Sequence, residues 1–229
     1  MFTELQKKTA QAIVQIFETS KIKGDYSAVT VMAGDSGHIS YGKAQASLMS
    51  GNLGKLLKEY ITIGGDYASE LSPYLLRAID MDISLDDDKK FNLLLKQAGH
   101  DKIMQECQDA LFEVGFWLPA MRIMSLRNYK FALSAAVIYD SRIHGAWGVV
   151  RDIVNTKHGY TGYENTAETQ YIQHYVSERE HWLANHKNPI LHKTVYRMQE
   201  FEKLLAVNNW DLVLPITVRG LKIIEDVLV

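Results

Sequence analysis

The sequence predicts a mainly α-helical protein in two lobes, with one small β-hairpin near the N-terminus. Three observations lead there. Apolar side chains recur at helical spacing along most of the chain. Residues 26–42 break that spacing: β-favouring Tyr26, Val29, Val31, Ile39 and Tyr41 flank the turn cluster Gly34-Asp35-Ser36-Gly37-His38. Residues 131–139 are apolar nearly all round, as the buried central helix of a body must be.

Each element follows in order. Leu5, Ala12, Ile13, Ile16 and Phe17 make the stripe of a first helix over 4–19, mildly interrupted by Thr9. After the hairpin, Ala44, Ala46, Leu48, Leu53, Leu56, Leu57 and Tyr60 predict a helix over 43–61, with a break at Gly51-Asn52-Leu53-Gly54. Ser72 and Pro73 mark the cap and first position of another helix. Ser84-x-x-Asp87 opens the next, and Gly99 stops it. A long helix follows over 101–116, with Pro119 beyond it. Past the central helix, 156–166 reads as a loop, 167–186 and 193–207 as amphipathic helices, and 208–220 as an extended tail with a proline. There are no repeats or low-complexity linkers, so residues 1–229 read as a single domain.

Composition excludes several functions. The chain of 229 residues is 47% hydrophobic, enough for a substantial core. Charged residues make up 23% with a net charge of −2, and the basic face expected of a nucleic-acid binder is missing. One cysteine, Cys107, allows no internal disulfide and reads as a small buried apolar residue. No apolar run is long enough for a membrane span or a secretory signal. None of the eight histidines falls in a zinc-type spacing, and there is no G-x-S-x-G elbow or phosphate-binding loop. No metal or cofactor is expected. The aromatics Trp117, Trp147, Tyr160, Tyr163, Trp182 and Trp210 are core by default, although some within 145–163 suit stacking on sugar rings.

Two carboxylates stand out. Glu18 follows the apolar run at the end of the first helix, where the helix dipole disfavours an anion, as suits a general acid. Asp35 sits between glycines, Gly34 among them, that leave its carboxylate open to water or ligand. An acid and a base on separate elements are what glycoside hydrolysis requires. On spacing alone, an exposed Glu18 and an Asx-type turn at Asp35 explain the same residues. Asp140, at the end of the buried helix, needs a partner, because an unpaired buried charge is costly. Arg179 and Arg197, each on a helix with an apolar face, are the candidates.

With these residues on view, the order "FETS", "GDYSAVTV", "GDSGHISYGKAQASLMSGNL", "AGHDKIMQECQDALF" and "VIYDSRIHG" resembles the chitosanases of glycoside hydrolase family 46 over roughly residues 5–205. That resemblance implies a lysozyme-like, two-lobed helical fold around a cleft and an inverting mechanism. It casts Glu18 as general acid and Asp35 as general base. Ser40, five positions on, takes the place of a usual threonine that positions water. Asp140, Arg179 and Arg197 match an Arg–Asp–Arg network behind the acid. Gly34, His38, Tyr41 and Asn52 fall with the substrate. The family holds the glucosamine ammonium with an acidic residue where this chain has Asn52, and an amide cannot neutralise an ammonium. A neutral N-acetylated glycan, peptidoglycan or partly acetylated chitosan, is therefore the alternative substrate. The expected protein is a monomer delivered outside the cell without a classical signal peptide, and a lysin or antibacterial effector domain fits. A non-catalytic glycan-binding module, or a wholly structural helical domain, would keep the same fold.

Overall fold

Helix α1, Glu4–Thr19, starts where Thr3 and Gln6 cap each other and ends on Ser20 in the left-handed conformation, whose N–H donates to the Ile16 carbonyl at 2.9 Å. The computed structural model describes residues 2–31, 37–43, 45–161 and 167–228. The chain forms two compact units, Met1–Lys23 with Phe116–Val229, and Gly24–Gly115.

The second unit carries a small antiparallel sheet. The expected hairpin is there, as β1 (Val29–Thr30) and β2 (Ser40–Tyr41), and a third strand, β3 (Ala46–Ser47), pairs with β2. Helix was expected from residue 43. The spacing of Ala46 and Leu48 satisfies the period of a strand as well, and Gly42 at φ 72° makes the turn that brings Ala46 opposite Tyr41. Gly51-Asn52-Leu53-Gly54 does not break a helix but begins one. Gly51 is the left-handed cap of α2, Asn52–Ile63.

Short helices follow: α3 (Ala68–Leu71), a 3-10 turn Ser72–Tyr74 and α4 (Leu75–Ile79). Helix thus starts one turn before the expected Ser72. The Ser84–Asp87 cap is also replaced. Asp82 accepts from the Ser84 N–H at the 3-10 turn Ile83–Asp87, and Asp88 accepts from the Phe91 N–H to cap α5, Lys89–Ala98. Asp101 caps α6, Lys102–Phe112. Its other oxygen accepts the Tyr60 hydroxyl at 2.6 Å, and that hydroxyl accepts the Tyr67 N–H at 2.9 Å. Ile39, Tyr41, Leu48, Leu57, Phe91 and Leu95 fill the core, each contributing about 1.5–3 kcal/mol of burial. Cys107 is buried there, as its small apolar character suggested.

A π-helical turn, Glu113–Trp117, leads into α7, Leu118–Leu126. Pro119 was expected beyond a helix end. It instead occupies the first turn of α7, where no N–H is needed. Helix α8, Ala132–Ile143, is the buried central helix, with ten consecutive buried residues from Ala132 to Ser141. Helix α9, Trp147–His158, follows and runs three residues into the stretch 156–166 expected as loop. Trp147 is buried against Tyr175, with ring centroids 4.6 Å apart, and is not a sugar platform; Tyr163 lies outside the described residues. The amphipathic helices are α10 (Glu168–Ala184) and α11 (Tyr196–Ala206). The expected extended tail pairs into a hairpin, β4 (Ile216–Val218) with β5 (Leu221–Ile223), and a last turn, α12 (Glu225–Leu228), packs on α1. Among the described residues no helix is long and apolar enough to cross a membrane.

Candidate active site

The stripe that buries Ile13, Ile16 and Phe17 of α1 leaves Glu18, the next residue round, facing outward with 36% of its side chain exposed. Arg197, on α11, reaches it. Arg197 Nη2 donates to Glu18 Oε1 at 2.8 Å, and Nη1 donates to Asp140 Oδ1 at 2.7 Å. Asp140 is fully buried and Arg197 is 4% exposed, so the guanidinium is held from the interior and presents its free edge to Glu18. Burial pushes the Asp140 carboxyl up, the guanidiniums of Arg197 and Arg179 pull it down, and Glu18 adds an upward push; the net is upward.

Arg179, fully buried on α10, acts on Asp140 through its charge and donates from Nη2 to His144 Nδ1 at 3.1 Å. A guanidinium cannot accept, so His144 is neutral with its proton on Nε2. Burial together with the charges of Arg197 and Arg179 pushes this imidazole down to about 3. His144 caps the end of α8, its N–H donating to the Asp140 carbonyl at 2.8 Å. Glu18, Arg197 and Asp140 thus form one hydrogen-bonded polar chain, and the Arg179–His144 pair stands behind it, acting on Asp140 through charge. Sequence reasoning missed His144, although its position one helical turn after Asp140 was a usable signal.

The other unit carries the remaining candidates. Ser40 lies in β2 opposite Thr30 and Ser47. His38, at φ 55°, sets its Nδ1 2.8 Å from Asp86 Oδ2, while Asp86 Oδ1 accepts the Ile39 N–H at 2.8 Å. Asp86 therefore fixes the backbone just before Ser40, a role the sequence did not reveal. Asn52 is the first residue of α2 and half-buried. Tyr41, expected to meet substrate, is fully buried in the core, because a strand residue beside outward Ser40 must point inward. Gly34 and Asp35 lie outside the described residues. Among the described residues no group of three or more His, Cys, Asp or Glu is arranged to hold a metal ion.

The family model described as glycosyl hydrolase family 46 matches residues 12–216. The chain belongs to glycosyl hydrolase family 46. A chitosanase of Bacillus subtilis (strain 168) is 25% identical over 233 residues, covering 94% of this chain and 82% of that protein. Among solved structures, a mutant chitosanase from Bacillus subtilis MY002 complexed with 6 GlcN superposes with TM-score 0.80 at 23% identity, over 96% of both chains. A complex of the Gynuella sunshinyii GH46 chitosanase with chitotetraose superposes with TM-score 0.79 at 20% identity, over 98% of this chain and 99% of that one. These two likenesses are of fold. As a family 46 member the chain is a glycoside hydrolase, mainly helical with a small antiparallel strand set. Glu18, Ser40, Asn52, Asp140, Arg179 and Arg197 all fall within the matched span, whereas the tip of the C-terminal hairpin and α12 lie past it.

Proposed function

We propose that this protein is an endo-acting, inverting hydrolase of β-1,4-linked amino-sugar polymers, chitosan first among them. Two relatives bound to glucosamine oligomers support the substrate class. The observation that carries the role of Glu18 is its bond to a guanidinium anchored on a buried carboxylate. Glu18 gives its proton to the glycosidic oxygen as the bond to the anomeric carbon breaks. The carboxylate left behind is met at once by Arg197, already 2.8 Å away, so no donor must reorganise during the step. Asp35 takes a proton from a water positioned by Ser40, and the resulting hydroxide adds to the opposite face of that carbon. Inversion requires the two carboxyl groups to be about 6.5–9.5 Å apart. In this reading residues 1–229 work as one catalytic domain.

Asn52 favours a second reading, in which a neutral N-acetylated glycan is the substrate, since an amide does not neutralise the ammonium of glucosamine. Digesting chitosan and purified peptidoglycan side by side, with products read by mass spectrometry, decides between the two. Glu18→Gln and Asp35→Asn should each lower reducing-end release about 10²–10⁴-fold. Wild-type turnover in both variants, or no cleavage of either polymer by the parent, rejects the hydrolase mechanism and leaves a glycan-binding module.

A further inference from the structure

The C-terminal hairpin turns on Arg219 and Gly220, with Val218 paired to Leu221. Both turn residues have positive φ, 48° and 79°, which makes this a two-residue turn of the mirror-image type. The first position of such a turn ordinarily takes Asn, Asp or Gly, and an arginine held left-handed there is strained. Strain of this kind persists where the side chain is held for a purpose.

The side chain shows what holds it. The Arg219 guanidinium lies 4.2 Å from the ring centroid of Tyr196, and its Nη1 donates to Ser20 Oγ at 3.2 Å. Tyr196 in turn donates its hydroxyl to the Phe17 carbonyl at 2.8 Å. Its ring meets Phe17 edge-on, with centroids 5.9 Å apart. Phe17 and Ser20 bracket Glu18. The last carbonyls of a helix lack intrahelical partners, and α1 has no basic residue of its own in its last turn. Tyr196 and Arg219 supply both from outside. Gln6 Nε2 donates to the Asp211 carbonyl at 3.1 Å, and α12 packs on α1, so the same C-terminal segment holds the helix elsewhere too. The family match ends at residue 216, before Arg219.

We propose that Arg219 and Tyr196 are positioning residues that clamp the end of α1 and so fix the aim of Glu18. This rests on the reading of Glu18 as general acid. Tyr196 pins the backbone carbonyl just before Glu18, Arg219 holds the side chain of Ser20 just beyond it, and Arg197 holds its carboxyl. Loss of the clamp leaves the carboxyl tethered through Arg197 alone, on a helix end free to fray.

The test uses the full chain. In Arg219→Ala and Tyr196→Phe, kcat on chitosan should fall about 10-fold, since small misplacements of a catalytic group carry costs of that order. KM should stay within about twofold, because the loss is confined to the reacting geometry. Amide exchange over residues 18–21 should accelerate, and Arg219→Lys, which keeps the cation, should recover part of kcat. Wild-type kcat with unchanged exchange in both variants overturns the clamp, as does a loss of kcat that tracks a fall in melting temperature. Glu18→Gln is run alongside. If it retains turnover while exchange accelerates in the clamp variants, the acid assignment is what fails, and the clamp is overturned as a catalytic device.

Discussion

Replacing Arg197 with methionine removes the residue that joins Asp140 to Glu18 while keeping most of its volume. Asp140 is fully buried and loses a 2.7 Å bond. Deleting one partner of a buried pair costs about 3–5 kcal/mol. Arg179 still acts on Asp140, so the loss should lie near the lower figure, about 3 kcal/mol. For a chain of this size that is a fall in melting temperature of roughly 6–12 °C. The loss should also depend on pH. The carboxyl of Asp140 is raised in the folded protein, so the folded state binds its proton more tightly than the unfolded state does. Stability from this group is therefore fully present below its ordinary value of 3.8 and is lost as pH rises through the folded value. Arg197 is the largest downward pull, and its removal widens that interval. The deficit of Arg197→Met, followed by circular dichroism, should be larger at pH 8 than at pH 4.5. Adding Asp140→Asn should recover most of it by removing the stranded charge. A deficit that is the same at both pH values, and undiminished in the double variant, would refute the account of Asp140 as a charge held in the core by Arg197.

Two further outcomes test the packing. A Cβ on Gly99 would lie 2.4 Å from Ser27 Cα and 2.5 Å from the Tyr26 carbonyl oxygen, both backbone atoms. Gly99→Ala should cost about 2–3 kcal/mol in denaturant titrations, whereas Gly115→Ala, with open space around its Cβ, should be near neutral. The buried Glu178 carboxyl is pushed up by burial but pulled further down by Lys157 at 2.8 Å and His158 at 3.1 Å. A depressed carboxyl stabilises above its ordinary value of 4.5 and loses that contribution as pH falls through the folded value. Glu178→Gln should thus lower the urea midpoint at pH 7, by about 1–2 kcal/mol equivalent, and the gap should narrow as pH falls below 4.5; a gap that widens on acidification contradicts the pairing.

Legibility in the sequence followed the length of the pattern. α1, α10 and α11 were readable because each sustains its periodicity for three turns or more, and α8 because it is apolar nearly all round. The segment after the hairpin was not, since Ala46 and Leu48 suit a strand and a helix alike, and only a partner strand decides. Pro119 marks a helix start or a helix end equally well until its neighbours are placed. At the site, Glu18 was visible from its position at the end of an apolar run, and Asp140 from the cost of burying it. That Arg197 reaches both is a contact across 179 residues of chain, which no local pattern encodes. Tyr41 was misjudged because its closeness to the turn in sequence hides the alternation that sends it inward.

The polar chain behind Glu18 raises a question of energetics. Asp140, Arg179 and Arg197 are all at least nearly buried, on three helices whose other inward residues are largely apolar. Buried ion pairs are often no more stabilising than apolar residues of the same volume. Stability alone therefore gives no reason to prefer them at the meeting of α8, α10 and α11. What apolar side chains lack is direction. A guanidinium gripped by Asp140 offers Glu18 a donor at a set distance and angle, and Glu18 is the member of the chain that reaches solvent. On the proposed mechanism that is where charge appears during the reaction. The buried network then has the same purpose as the clamp at the end of α1. Each fixes one carboxyl group before the substrate arrives, one by holding its oxygen and the other by holding its backbone.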